Sequence, residues 1–372
     1  MANTYSDIIP KILGRSLTYL RANSLAPRIV NRDYDGPAAA PGSIINVRIP
    51  PTVTVTDVTS AATQPANVDT TWSTKPVALS FHREAPFHLT DLQRLEVGGS
   101  AEQMAVDSAI KALCDNIDQS ILLAMDVGAS IATGTAATTP FATLALSLDP
   151  LQYLDTHKTP MPDRHVMMSP RAQMNLLGLT GFTSRDYIGD VTAMVDGGFH
   201  GNQVAGAKWW MSQNVPTHTA GTGASYLTNS ASLTAGVTTI PADTGTGTIL
   251  AGDVVVFAGD AVNKYVVATA LSGGSFTIAA PGLKVAIADN AAITLSATHV
   301  SNFAFQRESI VFASRPFLPS AAAVATDQFT DPVSGLTVRV EVTRQNKQDK
   351  WSVDANWGTA VVQPHGIIKV MG

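Results

Sequence analysis

An α+β fold carrying an inserted, small β-barrel-like domain is predicted from three observations on the 372-residue sequence. Residues 42–88 alternate apolar and polar side chains in two long, weakly charged arms, the pattern of a β-hairpin. Residues 100–125 repeat apolar side chains at spacings of three and four, the pattern of a single long helix. Residues 217–299 string short strands between glycine turns, with six charged residues in 83: Asp243, Asp253, Asp260, Lys264, Lys284 and Asp289.

The elements follow in order. Residues 1–41 form an N-terminal arm. Its first 35 residues carry Lys11, Arg15, Arg21, Arg28 and Arg32 against Asp7, Asp33 and Asp35, an excess of +2. Ile8, Ile12, Leu13, Leu17 and Leu20 share one face of a predicted helix. Asp35-Gly36-Pro37 and Pro41-Gly42 break the chain before the hairpin, which occupies residues 42–89. Its first arm covers residues 43–49 and continues through 52–56. A polar tip at 57–74 leads to the return arm, residues 75–82. Arms of about 12 residues at ~3.3 Å each reach on the order of 40 Å. An isolated two-stranded hairpin is barely stable in water, so this one is expected to lie on another molecule.

Residues 90–139 hold the long helix. Thr90 or Asp91 caps a short helix through Val97, Gly98-Gly99 interrupt it, and Ser100-Ala101-Glu102-Gln103 resembles a capping box. Val106, Ile110, Leu113, Ile117, Ile121 and Met125 line the buried face, and the helix is about 40 Å long. Residues 140–216 read as mixed α/β: helix 149–157, strand 164–169, a helix 170–179 opened by Pro170, and strand 204–212. Within residues 217–299, strands are predicted at 226–233, 253–258, 264–271, 275–280 and 291–296, as a small barrel or sandwich. Residues 300–372 close the chain with a return segment at 301–309, a strand pair at 323–327 and 336–343, a strand at 350–362, and a last apolar strand after Pro364-His365-Gly366.

Composition points to surfaces buried between subunits. The chain is 45% hydrophobic with only 14% charged residues, against about 25% charged for a typical domain. No run approaches the ~18 apolar residues that span a bilayer. The stretch Ile8-Ile9-Pro10-Lys11-Ile12-Leu13 is too short and too interrupted for a secretory signal. A single cysteine, Cys114, excludes an intrachain disulfide and fits a reducing cytoplasm. A net charge of −5 argues against a dedicated nucleic-acid binder.

Catalytic signatures are missing from the sequence. No His-x-x-x-His, Gly-x-Ser-x-Gly or Gly-Lys-Ser/Thr pattern occurs. His82 and His88 read as interfacial or exposed polar residues flanking a hairpin arm. Cys114 reads as a buried structural thiol on the long helix. Trp209, Trp210, Trp351 and Trp357 lie in strands and read as core or interface packing. No metal, cofactor or catalytic residue is assigned.

The order of arm, hairpin, long helix, α/β lobe, inserted β-domain and closing strands resembles the coat proteins of P22-like tailed bacteriophages, which have the HK97 capsid fold. GSIINVRIPP at 42–51 resembles the start of that family's extended loop. Residues 204–216 resemble the strand before its insertion, and LAGDVVVFA at 250–258 with residues 275–280 resembles the insertion-domain strands. FAFQRESIVFASRP at 303–316 resembles the segment that re-enters the shell fold. The resemblance covers nearly the whole chain and rests on the order of these strings.

It implies an HK97-like capsid fold with N-arm, extended loop, spine-helix P-domain and α/β A-domain. It also implies a major capsid protein that assembles by binding, without catalysis, into an icosahedral shell of pentamers and hexamers around the DNA genome. The implied partners are further copies of the chain, scaffolding, portal and decoration proteins, and packaged double-stranded DNA held by non-specific contact, with no membrane. The implied location is the virion capsid, and the host cytoplasm during assembly. Arg48, Lys75, Arg83 and Glu84 are the subunit-interface candidates, each with the alternative reading of a solvated surface charge. Lys11, Arg15, Arg21 and Arg28 are the inner-face candidates for DNA or scaffold, with an amphipathic helix packed on the shell as the alternative.

Some HK97-fold shells join a hairpin lysine to a neighbour's asparagine. Lys75 and Asn356 supply those residue types, but the P22-like group does not use this chemistry. An encapsulin-like compartment with protein cargo is the alternative function on the same fold. A secreted carbohydrate-binding or hydrolytic enzyme is disfavoured, because no signal peptide or clustered carboxylates and aromatics occur.

Overall fold

The computed structural model describes residues 24–34, 44–51, 53, 55, 72–97, 100–183, 200–230, 233–318, 323–331 and 334–372. The predicted apolar helix face between Ile8 and Leu20, and most of the hairpin tip, lie outside them. The architecture is mixed α/β, organised on one long helix, two sheets and a barrel.

The long helix, Ser100–Gly128, follows two short ones, Ala26–Ile29 (α1) and Asp91–Val97 (α2), and is labelled α3. Its predicted face is buried from Val106 through Met125. Thr90 is the cap of α2: its Oγ1 accepts from Gln93 N at 3.2 Å, and Gln93 Oε1 accepts from Thr90 N at 3.1 Å. That reciprocal pair satisfies two amides that the first helical turn leaves open.

One face of α3 carries a five-stranded antiparallel sheet. At its centre lies β19 (Gln348–Val361), paired along one edge with β18 (Thr337–Gln345) and then β16 (Ile310–Arg315), while β17 (Ala325–Thr330) lies outside β18. The opposite edge of β19 is covered by β3 (Phe81–Thr90) from Trp357 to Gln348. Side chains two apart on β19, Trp351, Val353, Ala355 and Trp357, face the helix, as the period of a strand requires. Trp357 Nε1 donates to Ser120 Oγ of α3 at 2.9 Å.

The hairpin is narrower than the sequence suggests. Strands β1 (Ile44–Ile49) and β2 (Ser73–Ala78) pair from Ile44↔Ala78 to Ile49↔Ser73. The chain then breaks at Leu79-Ser80, and Phe81 and His82, predicted on the return arm, belong instead to β3. The competing principle is burial: Phe81 stacks on Trp357 with ring centroids 5.8 Å apart, a contact the hairpin cannot offer. Gly358 lets β2 cross β19 closely, since a Cβ there would overlap the Ala78 carbonyl.

A second sheet runs β4 (Ile131–Gly134), β20 (Ile367–Met371), β15 (His299–Gln306), β5 (Arg164–Met168), β7 (Ala207–Met211) and β6 (His200–Val204). Alternation sorts its side chains: Phe303 and Phe305 join the α3 cluster, while Ala304, Val166 and Met168 face helices α4 (Leu144–Thr156) and α5 (Pro170–Leu177). Sequence reading misplaces two boundaries here. Helix α4 begins at Leu144, capped by Thr143, ahead of the predicted start at 149, and carries Pro150 in its interior. The strand predicted at 204–212 is present as β7 but starts at Ala207, because Ala205 and Gly206, at φ 51° and 80°, turn the chain back from β6 with the left-handed geometry of a tight two-residue turn.

The inserted segment closes into a barrel. Its ring is β11 (Val254–Phe257), β14 (Ala292–Leu295), β9 (Tyr226–Thr228), β10 (Thr239–Asp243), β13 (Ser275–Ile278) and β12 (Asp260–Ser272), with β12 returning to β11. Closure removes the free edges that so little charge could not protect. Strand β10 is absent from the sequence reading because Pro241 interrupts it. The barrel has its own core around Tyr265, Phe257 and Phe276. It is also stitched to the second sheet, as β12 pairs with β4 at Lys264↔Ala132 and Tyr265↔Ile131.

Candidate assembly surfaces

The hairpin shows two different surfaces along its length. At its base Ile45, Val47 and Val77 are buried against Val311, Ala313 and Val362. Farther out, Val53, Val55 and Trp72 are 73%, 97% and 68% exposed. Large exposed apolar side chains such as these make the outer hairpin a candidate contact surface.

The interface candidates are split between elements. Arg48 and Lys75 are exposed on β1 and β2. Since Lys75 stands opposite buried Val47, and Arg48 opposite Thr74, the two cations point from opposite faces of the hairpin. Arg83 and Glu84 are not on the hairpin but on β3. Arg83 edges a cleft of about 500 Å³ between the hairpin base, β3 and α3, lined by Phe81, Leu123 and Ala124. Glu84 accepts from Ser352 Oγ at 2.9 Å and lies 3.8 Å from Lys350 Nζ.

Of the inner-face candidates, Lys11, Arg15 and Arg21 lie outside the described residues. Arg28 sits in α1, at a cleft of about 300 Å³ that also holds Lys111, Asp115 and Asp118. This cleft carries both signs of charge. Asp118 fastens the arm to the long helix, accepting from Leu25 N and Ala26 N at 3.2 Å each. Burial pushes its carboxyl up to about 7, against the lowering effect of those two amides. Asn31 extends the attachment by bridging to β16, with Phe312 N donating to Asn31 O at 2.9 Å.

Cys114 is buried on α3. Burial first, then the nearby Asp118, Asp115 and Asp331 charges, push its thiol up to about 12, so it is no thiolate nucleophile at neutral pH. Among the described residues no group of three or more His, Cys, Asp or Glu is arranged to hold a metal ion.

Sequence reading missed a buried polar cluster formed by Asp126, His218, Asp253 and Lys369. The signal was present: Lys369 is a lone charge in the apolar strand IIKVM, and Asp126 one in the helix end ILLAMDVG. A charge in such a run requires a buried partner.

No family model and no curated protein matches the sequence. Solved structures do. The chain is similar to a chain of Mycobacterium phage Che8, with 17% identity, a TM-score of 0.56, and coverage of 93% of this chain and 90% of that one. It is also similar to a chain in the capsid of the Cyanophage P-SCSP1u, with 12% identity, a TM-score of 0.53, and coverage of 94% and 88%. At these identities the likeness establishes a shared fold, over nearly the full length of both molecules.

Proposed function

We propose that the chain is the major capsid protein of a tailed bacteriophage, with the HK97 fold, self-assembling into an icosahedral shell around the DNA genome. The observation that carries this reading is the fold shared with phage chains over about nine-tenths of both partners. The exposed Val53, Val55 and Trp72 beyond the hairpin base support it, because they supply apolar area for a neighbouring copy. The closed barrel between β8 (Thr217–His218) and β15 supports the P22-like subtype that the sequence resembles.

On this reading the mechanism is binding. Pentamers and hexamers form from many weak contacts, repeated by symmetry until the shell closes. Arg48, Lys75, Arg83 and Glu84 set register between copies. Glu84 does so while holding Ser352 and Lys350 of its own chain. Arg28, with Lys11, Arg15 and Arg21, faces DNA or a scaffolding protein, with phosphate contacts few and sequence-independent. Portal and decoration proteins complete the particle, and assembly takes place in the host cytoplasm.

The test is negative-stain electron microscopy of the purified chain, with light scattering alongside. Closed shells of uniform diameter, alone or after a scaffold is added, are expected. A chain that stays a monomer or dimer under every assembly condition refutes the proposal. Protein cargo in place of nucleic acid inside the shells would favour an encapsulin-like compartment.

A further inference from the structure

Four buried ionisable side chains meet where the barrel joins the second sheet. Asp126 comes from the last turn of α3, His218 from β8, Asp253 from the turn before β11, and Lys369 from β20. Lys369 is 0% exposed; its Nζ lies 2.7 Å from Asp126 Oδ1 and donates to Gly252 O at 2.9 Å. His218 Nδ1 lies 2.8 Å from Asp126 Oδ2, and His218 Nε2 lies 2.9 Å from Asp253 Oδ1. The remaining titratable neighbour is His299 of β15, ring centroid 5.4 Å from that of His218, with its Nδ1 facing the Ala297 carbonyl. Burial, with Lys369 adding to it, lowers His299 to about 4, so it is neutral at pH 7.

The geometry fixes the protons. A neutral imidazole has one N–H and one lone pair, yet both ring nitrogens of His218 face carboxylate oxygens at hydrogen-bond distance. A carboxyl proton does not supply the second donor. Asp253 Oδ1 also accepts from Gly221 N at 3.0 Å and Oδ2 from Leu250 N at 2.6 Å, while Asp126 faces Lys369, whose pKa burial lowers against the opposing pull of Asp126 and Asp253 and whose contacts favour the ammonium. Two carboxylates against one lysine leave the pocket at −1, and an imidazolium brings it to zero. Asp126 needs the compensation further, because the C-terminal end of a helix is itself the negative pole.

We propose that His218 is a buried imidazolium clamp between Asp126 of the long helix and Asp253 of the barrel, so that one proton holds the barrel on the second sheet. Burial alone lowers the His218 pKa, but its bonds to Asp126 and Asp253 outweigh that and raise it. A raised value means that the clamp contributes fully below the ordinary histidine range. Its contribution is lost as pH rises through the raised value, so release is alkaline. The proposal concerns packing inside one subunit and stands independently of the assembly reading.

Two measurements on the full-length chain test it. The first is ¹⁵N imidazole spectroscopy across a pH series. The ring lost in His218→Gln is expected to give up its second proton above the ordinary histidine value, and a ring that gives it up at or below that value overturns the assignment. The second is hydrogen exchange, corrected for intrinsic rates, at about pH 7 and about pH 10. Amides of the β12–β4 ladder at Lys264 and Tyr265 are expected to exchange about tenfold faster or more at the higher pH, while the β10–β13 amides inside the barrel keep their protection. In His218→Gln the ladder is expected to exchange fast at both pH values. A ladder that ignores pH in the wild type overturns the clamp, as does a His218→Gln ladder with the wild-type pH response. If His218→Gln fails to fold, the wild-type exchange and the presence or absence of a ring that loses its second proton above the ordinary histidine value still decide.

Discussion

Single residues do their work here through the partners that distant segments bring. Asp118 is the plainest case: one carboxylate serves two amides of the arm from the middle of the long helix. Because burial raises its pKa to about 7, its share of stability is complete in acid and is lost as pH rises through that value. Asp118→Asn keeps an oxygen to accept one of the amides and carries no charge to bury. It is therefore expected to match the wild type only below the ordinary carboxylate value, at about pH 3.5, and to exceed it by at least roughly 1 kcal/mol at about pH 8, read from urea midpoints. A variant less stable than wild type at both pH values would show that the ionised carboxylate itself is what the arm needs. Arg339 makes the same point on the sheet, holding Asp354 through Nε at 3.0 Å and Nη2 at 2.6 Å across adjacent strands.

At the scale of the element, the hairpin base is packed into the subunit, while Val53, Val55 and Trp72 beyond it are exposed. Ile45, Val47 and Val77 are committed to the subunit's own core, so their truncation is a folding defect. Val55 and Trp72 are 97% and 68% exposed. The pair Val55→Ser and Trp72→Ala is thus expected to leave the unfolding free energy within about 0.5 kcal/mol of wild type. The same pair is expected to slow or abolish shell formation followed by light scattering. Loss of folding in this variant would place those side chains in the subunit core instead. The long helix is the opposite kind of element, since its Val106-to-Met125 face is consumed by packing within the chain.

Across the whole molecule, the barrel is a domain inside a domain. Its six strands close on themselves and its core is separate from the two clusters around the helix and sheets. A fragment of residues 222–297 is accordingly expected to fold alone, with a cooperative thermal transition and dispersed amide resonances. It holds one closed core, though at this size stability is modest, on the order of 3–5 kcal/mol. A disordered fragment would mean that pairing of β12 with β4, and the buried cluster beside it, are needed to form the barrel rather than merely to dock it.

Period and punctuation in the sequence determined much of this protein. Helical spacing from Val106 to Met125 located the spine, alternation located both hairpin arms at their base, and glycine turns with little charge located the inserted domain. Where reading failed, a local signal met a stronger distant one. Phe81 left the hairpin because Trp357, 276 positions later, offered a stacking surface; Pro241 sits in a strand because the ring needed closing; Pro150 lies within a helix that Thr143 had already capped. Ala205-Gly206 escaped notice because the turn needs only two residues. Tertiary structure alone decided which charges meet. Lys369 and Asp126 were visible as lone charges in apolar runs, but a buried ion's partner is chosen by topology, and no spacing in the chain encodes that choice.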